Sequence, residues 1–209
     1  MRLVLASNNA KKLAELGSLL APLGIELIAQ GALGVSEADE PHHSFIENAL
    51  HKARHAARHA KAAAIADDSG LCVDALGGAP GVVSAHFAAI ALPAAGREQQ
   101  REVQDTANNR LLIERLHGLS DRRARFVSAL VAIRSADDPE PLIAMGRWEG
   151  EILQSSRGTG GFGYDPLMFI PTLGHSVAEL GAELKNQHSH RAIASRQMLV
   201  LMREVWGLG

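Results

Sequence analysis

Two adjacent carboxylates at the end of an apolar segment constrain this chain more than any other feature. The apolar segment 62–66 stops at Asp67 and Asp68, and a Ser-Gly dipeptide follows. An apolar run that stops in this way predicts a buried strand that ends in a turn at a surface cleft. Neighbouring carboxylates repel each other, so their pairing requires a cation or a shared proton. The alternative is an ordinary Asp-Ser-Gly turn, in which acidic side chains bond nearby backbone amides.

Length and composition predict a soluble, intracellular chain. The 209 residues suffice for one large domain or two closely joined lobes, and 46% of them are hydrophobic. A formal net charge of -2 argues against a general affinity for nucleic acid or anionic membranes. The one cysteine, Cys72, excludes an intramolecular disulfide and fits a reducing cytoplasm. The start of the chain is too short for a signal peptide, and no apolar run approaches membrane-spanning length.

The chain begins with a strand, a polar turn and a helix. Segment 2–6 predicts a buried strand, residues 7–9 break it, and a leucine-striped helix follows that ends at Gly24. The backbone amides at such a helix start, helped by Lys11 and Lys12, form a natural phosphate site. A plain strand–helix turn with two solvated lysines is the alternative.

A second helix is predicted to start at a capping box. Segment 25–29 reads as a short strand, and an acidic loop follows at 31–43. Ser44 and Glu47 then have the spacing of a capping box, and the helix continues to about Ala60. This capping role is a structural alternative to any functional role for Glu47.

Three histidines on that helix lie at four-residue intervals. His51, His55 and His59 therefore share one helix face. The pattern suggests a metal site, but it lacks the acidic partner of known helical zinc motifs. A solvated face is the favoured interpretation.

The second half of the chain predicts strands, a long helix and a terminal helix. Segment 71–73 reads as a strand after the acidic turn, and the other elements are a helix at 98–116 and strands at 125–133 and 142–153. Ser189 is placed as the N-cap of the terminal helix, so His190 and Arg191 fall in its first turn. Positive side chains there oppose the helix dipole and need an anionic or acceptor partner.

A glycine-rich loop with two aromatic residues lies at 158–166. Four of the six residues from Gly158 to Gly163 are glycines, so the backbone there can approach a ligand closely. Phe162 could stack on a planar base, as aromatic residues do in single-stranded nucleic-acid sites. A flexible loop with one packed aromatic residue is the alternative.

Five stretches occur in one order that resembles a known family. They are Leu5–Lys12, Phe45–Ala49 with Lys52 and Ala53, Asp67–Leu71, Gly160–Pro166 and Ser189–Arg191. They resemble the successive motifs of the inosine/xanthosine triphosphate pyrophosphatases, also called non-canonical purine NTP pyrophosphatases. The resemblance runs from Leu3 to about Leu199, and five ordered motifs are far more specific than one.

The resemblance implies a fold and a reaction. The fold is α/β, with an elongated mixed sheet flanked by helices and two lobes around a central active-site cleft, all within one domain spanning residues 1–209. The reaction is the Mg²⁺-dependent hydrolysis of dITP, ITP or XTP to the nucleoside monophosphate and pyrophosphate, carried out by a cytoplasmic homodimer. It would remove deaminated purines from the nucleotide pool.

The resemblance also assigns residues. Asp68 is implied as proton acceptor and metal ligand, with Asp67 beside it and a loop acid, Asp39 or Glu40, completing the metal site. Mg²⁺ is a hard cation that prefers such oxygen ligands. The implied substrate contacts are Ser7, Asn8, Asn9, Ala10, Lys11, Lys12, Lys52, Ser69, Phe162, Gly163, Tyr164, Asp165, Lys185, His190 and Arg191. Donors aimed at a 6-oxo group would accept hypoxanthine or xanthine and reject adenine.

Three positions depart from the family pattern. Ser7-Asn8-Asn9 stands for the usual Thr-Gly-Asn, which changes the backbone freedom of that loop. Glu40 is followed by Pro-His-His instead of Thr-Gly, so the choice between the two loop acids stays open. His86 stands where arginine is usual.

Three other functions fit these motifs less well. A Maf-type nucleotide pyrophosphatase shares the Leu-Ala-Ser start, but 161–166 and 189–191 argue against it. A non-hydrolytic nucleotide-binding regulator would not need the paired acids Asp67 and Asp68. A basic nucleic-acid module is disfavoured by the net charge of -2.

Overall fold

The computed structural model describes residues 1–208, which divide into two compact units. The first unit comprises Met1–Ser69, Ser128–Arg147 and the chain from Asn186 onward, and the second comprises Gly70–Val127 and Trp148–Lys185. The expectation of a single domain with a central cleft stays a prediction.

The described chain contains strands and α-helices in mixed order. In chain order they are β1 (Arg2–Leu5), α1 (Ala10–Leu20), β2 (Glu26–Ala29), α2 (Phe45–Ala60), β3 (Ala64–Val73), α3 (Arg97–Arg115), β4 (Arg123–Ile133), β5 (Leu142–Ile152), β6 (Met168–Ile170), β7 (His175–Ser176), α4 (Ala182–His188) and α5 (His190–Trp206). Short 3₁₀ helices lie at Ala21–Leu23, Gln30–Leu33, Asp74–Leu76, Gly81–His86 and Val177–Glu179.

The strands form one seven-stranded mixed sheet. Its order is β2-β1-β3-β4-β5-β6-β7. Strand β1 pairs in parallel with β2 and β3, whereas β6 pairs antiparallel with β5 and β7. The predicted α/β class with a mixed sheet and flanking helices is therefore confirmed.

In the first unit, alternate residues of a strand belong to two different apolar clusters. Leu3 and Leu5 of β1 join one cluster with α1 and α5, whereas Val4 and Ala6 join another with the alanines of α2. In β3, Ile65 joins the cluster with α1 and α5, whereas the residues on either side of it join the cluster with α2. Side chains of a strand point to opposite faces in turn, so this part of the sheet is covered on both sides.

The second unit has its own apolar cluster. Leu112 of α3 and Leu116, the residue that caps this helix, pack with Phe126, Trp148 and Tyr164 in it. Helix α3 lies within one residue of the predicted 98–116 helix at each end. Leu112 and Leu116 are fully buried, whereas Leu111 is half-buried.

Helix boundaries follow the predicted caps. Ser44 accepts a hydrogen bond from the amide of Glu47 at 3.3 Å at the start of α2. Ser189 accepts one from the amide of Ala192 at 3.1 Å, so α5 begins at His190 as predicted. Gly24, with φ of 61°, ends the short 3₁₀ turn that follows α1. Within residues 1–208, every helix is too short or too polar to span a lipid bilayer.

The predicted turn at Asp67 and Asp68 is wrong. Both lie inside β3, which runs without interruption for 10 residues and includes the predicted strand 71–73. Local composition favours a turn here because adjacent carboxylates repel each other. Lysine and arginine side chains from distant segments offset that repulsion, so the strand can continue through the acidic pair.

Candidate active site

Asp67 is a buried carboxylate of the first unit that binds two cations. Its side chain is 1% exposed, and its Oδ2 lies 2.7 Å from the Lys12 ammonium and 3.3 Å from Nε of Arg191. The hydroxyls of Ser128 and Ser69 donate to it at 2.7 and 3.2 Å. Burial alone would raise the pKa of Asp67, but Lys12 and Arg191 outweigh it and hold that pKa well below its usual range. Asp67 is therefore an ionised anchor for the two cations.

Arg191 connects three groups of this cluster. Its Nη1 donates to Glu15 of α1 at 2.6 Å, its Nη2 donates to Ser69 at 3.2 Å, and its Nε donates to Asp67. The guanidinium side chain is only 4% exposed. The acceptor partners that the sequence required for a cation in the first turn of α5 are therefore Asp67 and Glu15. Neither sequence spacing nor the family motifs pointed to Glu15.

Close packing of β5 places the start of α5. A Cβ atom at Gly146 would overlap the backbone carbonyl of His190. A glycine at this position therefore lets the strand approach the first turn of the helix that carries Arg191.

Asp68 has a different environment from Asp67. The Lys52 ammonium donates to Oδ1 of Asp68 and to Oε1 of Glu40, at 2.8 Å in each case. Oδ2 of Asp68 is buried and has no hydrogen-bond partner within residues 1–208. Burial raises the pKa of the Asp68 carboxyl, and Lys52 offsets this only in part. Asp68 therefore has one oxygen available to accept a proton or bind a cation.

The loop acids separate in this structure. Glu40 shares Lys52 with Asp68, whereas Asp39 is exposed and forms no ion pair with a lysine, arginine or histidine within residues 1–208. No group of three or more His, Cys, Asp or Glu side chains among residues 1–208 is already arranged around a metal position. The unpartnered Oδ2 of Asp68 and the carboxylate of Glu40 are nevertheless hard oxygen donors, which suit Mg²⁺.

The helix start at Ser7–Lys12 is held by its own asparagines. Oδ1 of Asn9 accepts from the amides of Lys11 and Lys12 at 3.0 and 3.3 Å, and Ala10 opens α1. Ser7 accepts from the amide of Asn9 at 3.1 Å. The amides that were predicted to bind phosphate therefore carry an asparagine cap here.

Asn8 ties this turn to the following loop. It accepts from the amide of Gly31 at 2.8 Å and donates to Glu37 at 3.1 Å. A Cβ atom at Gly31 would overlap the Asn8 side chain. These contacts explain how the chain accommodates asparagine where the family usually has glycine.

The predicted base-binding loop belongs to the second unit. Asp165 is buried and accepts from the amide of Phe162 at 3.0 Å and from the Lys185 ammonium at 2.8 Å. The same ammonium lies 5.6 Å from the centre of the Phe162 ring. A Cβ atom at Gly161 would overlap the Asp165 carboxylate, so that close turn requires glycine.

Tyr164 lies in the apolar core of the second unit. Its hydroxyl donates to the carbonyl of Ser84 at 2.9 Å, and burial raises its pKa well above the usual tyrosine value. Its ring and hydroxyl therefore fix the loop.

Two histidines on α2 contact backbone carbonyls. Nε2 of His55 lies 3.0 Å from the carbonyl of Ser36, and Nδ1 of His59 lies 2.9 Å from the carbonyl of His55. The rings of His55 and His59 are 4.3 Å apart.

Comparison with known proteins decides the family. The sequence profile of the Ham1 family matches residues 3–201. This chain belongs to the Ham1 family. The family membership predicted from the five motifs is thereby confirmed, since similar proteins carry the name dITP/XTP pyrophosphatase.

Relatives and solved structures match over nearly their full lengths. A dITP/XTP pyrophosphatase of Methylibium petroleiphilum is 70% identical over 206 residues, covering 99% of each chain. One from Leptothrix cholodnii is 66% identical over 211 residues, covering 100% of each. The structure of a Ham1 protein from Coxiella burnetii matches with a TM-score of 0.87 at 40% identity, covering 98% of this chain and 100% of that one.

Four contributing residues were not found from the sequence. Glu15 and Ser128 support Arg191 and Asp67, and Asp105 and Asn109 bind the glycine loop. Asn109 lies 54 residues from the residue that it contacts, and Ser128 lies 61 residues from Asp67. Single polar residues on helices and strands carry no local signal for such contacts.

Proposed function

We propose that this Ham1 protein hydrolyses the triphosphates of deaminated purines, namely dITP, ITP and XTP, to the nucleoside monophosphate and pyrophosphate. The names of its relatives support the substrate class. The observation that carries the proposal is Asp68, whose Oδ1 is held by Lys52 at 2.8 Å while its buried Oδ2 has no partner in residues 1–208.

The proposed reaction is an attack by water on the α-phosphorus. The water oxygen bonds to that phosphorus as the bond to the oxygen bridging the α- and β-phosphorus breaks, and pyrophosphate leaves with that oxygen. The Asp68 carboxylate accepts the proton of the water. Its raised pKa makes it a stronger base than an ordinary carboxylate once it is ionised.

Cations of the first unit would bind the polyphosphate. The Lys52 ammonium stays protonated, because Asp68 and Glu40 outweigh the effect of burial and raise its pKa. Lys12 and Arg191 are oriented by Asp67, so they need little reorganisation when an anion binds. These preorganised positive charges stabilise the negative charge that develops on the pyrophosphate leaving group.

Mg²⁺, bound by Asp68 and Glu40, would neutralise charge on the phosphate oxygens. Glu40 is preferred to Asp39 as the second ligand because the Lys52 ammonium contacts both Glu40 and Asp68, at 2.8 Å in each case. Asp67 would contribute indirectly, since its oxygens bind Lys12, Arg191 and two serines.

Glu40→Gln should therefore raise the Mg²⁺ concentration that gives half the maximal rate, whereas Asp39→Asn should not. Calorimetric titration of each folded variant with Mg²⁺ supplies a readout independent of turnover. The reverse order of the two variants would assign the role to Asp39.

The glycine loop of the second unit would read the base. Phe162 would stack on the purine plane, and the Lys185 ammonium, which Asp165 holds at 2.8 Å, would donate to a 6-oxo group. Adenine has an amino group at that position and would leave the donor unpaired, which disfavours it strongly.

A substrate panel with Mg²⁺ tests the proposal. It contains dITP, ITP, XTP, dATP, dGTP, dTTP and UTP, and both products are identified. We expect monophosphate and pyrophosphate from the inosine and xanthosine substrates. Turnover of dTTP or UTP instead would identify a Maf-type activity, and binding without hydrolysis would identify a nucleotide-binding regulator.

Homodimer formation and a cytoplasmic location stay predictions from the sequence.

A further inference from the structure

Both peptide groups that flank Gly163 are bound by side chains of α3. The amide of Gly163 donates to Oδ2 of Asp105 at 2.8 Å. Nδ2 of Asn109 donates to the carbonyl of Gly163 at 2.9 Å. Asp105 and Asn109 are four residues apart on the helix and therefore share one face. One helix thus binds two successive peptide planes of the loop, and the first plane also accepts a hydrogen bond at its Phe162 carbonyl from the amide of Asp165 at 3.2 Å.

These planes set the direction of the Phe162 ring. The first plane joins Phe162 to Gly163, and the second joins Gly163 to Tyr164. Gly163 has φ of 62° and no side chain, and a Cβ atom at this position would meet open space. Its local environment therefore offers no steric restraint, and the two hydrogen bonds from α3 restrain it instead.

Neighbouring polar residues of α3 have a separate task. Asn108 donates to the carbonyls of Ser84 and Ala85 at 3.2 Å, and Gln104 donates to the carbonyl of Ala88 at 2.8 Å. These buried residues fasten the segment 84–88 to the helix. Asn109 makes no such contact, and its Oδ1 is buried without a partner in residues 1–208. An unpaired buried oxygen costs stability, so the contribution of this amide lies in its bond to Gly163.

We propose that Asp105 and Asn109 are positioning residues that set the purine selectivity of the loop around Phe162. The inference rests on the proposed function, in which this loop reads the base. A stacking ring and a lysine donor discriminate between 6-oxo and 6-amino purines only when the loop holds its geometry. Loss of either bond from α3 loosens the peptide plane that it binds, and the loop then accepts both purine types more equally.

The test compares full-length Asp105→Ala and Asn109→Ala with the unmodified protein. We expect KM for dITP to rise about tenfold, as befits one lost hydrogen bond, and the ratio of kcat/KM for dITP over dATP to fall about tenfold. The value of kcat for dITP should change by less than about threefold, because neither residue touches the phosphates. Asp105→Asn keeps an acceptor for the Gly163 amide and should restore most of the selectivity.

Thr106→Ala is the matched control on the same helix. Thr106 is exposed and its hydroxyl donates only to the carbonyl of Glu102 at 2.8 Å, so its loss should leave both KM and selectivity unchanged. Hydrogen exchange of the peptide covering 158–166 gives a readout without turnover. It should be faster in Asn109→Ala and Asp105→Ala than in Thr106→Ala.

The outcomes separate this inference from the proposed function. Unmodified protein that hydrolyses neither dITP nor XTP overturns the proposed function and this inference with it. If the unmodified protein is selective and the folded variants keep its ratio of kcat/KM for dITP over dATP, this inference alone is overturned. A parallel loss of activity on dITP and dATP at a constant ratio also overturns it, because it shows a purely structural role.

Discussion

In the first unit, Asp67 binds Lys12 and Arg191 with its buried carboxylate, whereas in the second unit Gly163 is bound at its backbone by Asp105 and Asn109. The first arrangement orients charged side chains, and the second orients peptide planes. Removing a buried ion-pair partner leaves an uncompensated charge, which is costly. Removing a bond to a surface loop leaves groups that water can reach. Altering Asp67 in the first unit should therefore cost stability, whereas altering the bonds to Gly163 in the second should cost substrate discrimination.

Asp68→Asn should lower turnover by about 10²–10⁴-fold, the usual contribution of a general base. The fold should persist, because burial raises the pKa of Asp68 and a neutral amide of equal shape relieves that cost. Steady-state kinetics and thermal unfolding measure the two effects. The matched control is Asp137→Asn, an exposed acid of the same unit. Full activity of Asp68→Asn would remove Asp68 from the proposed role.

Asp67→Asn should reduce the free energy of unfolding by about 3–5 kcal/mol, since it leaves Lys12 and Arg191 buried beside a neutral amide. Urea unfolding at neutral pH measures this loss. The contrast with Asp68→Asn is the informative result, because the two acids are adjacent in β3. Equal loss of stability in both variants would contradict the division into an anchor and a base.

Gly161→Ala should destabilise the second unit by about 1–3 kcal/mol, because the methyl group meets the Asp165 carboxylate and φ of 79° is strained for alanine. Gly163→Ala is its matched control, with φ of 62° but open space around the methyl group. Thermal unfolding of both separates the overlap from the backbone strain. Equal effects would show that the contact with Asp165 contributes nothing.

Asp138→Asn should cost about 1 kcal/mol at neutral pH, the usual value of a lost hydrogen bond. Burial opposes ionisation of Asp138, but the amides of Arg134 and Glu140, at 2.7 and 2.9 Å, outweigh it and lower its pKa. The folded-state pKa therefore lies below the unfolded one. Its stabilisation is complete above the unfolded value and is lost as the pH falls through the folded value.

The difference in stability between native protein and Asp138→Asn should therefore shrink on acidification. Chemical unfolding at neutral and acidic pH measures it. Asp137→Asn, at the exposed neighbouring position, should show almost no difference at either pH. A difference that stays constant with pH would show that the carboxylate bonds do not stabilise the turn.

Local patterns predicted α1, α2, α3 and α5 because caps and periodicity act over a few residues, but they did not predict the short helix α4. The assignment of Ser189 as an N-cap placed the start of α5 correctly. The same local reasoning failed at β3, where it predicted a turn. The acidic pair is compatible with a strand only because Lys12, Lys52 and Arg191 reach it from other segments.

Residue order and type alone were sufficient to determine the family and the α/β class, because five ordered motifs are specific, and the site residues that those motifs imply stay predictions. Only the tertiary structure decided which side chains meet. Arg191 binds Asp67 across 124 positions of sequence, and Asn109 binds Gly163 across 54. The tertiary structure also distinguished Asp67, which anchors two cations, from Asp68, which has one carboxylate oxygen without a partner in residues 1–208. The physical reason is that these roles depend on which distant groups surround each carboxylate, and that is set by the folding of the sheet and the helices.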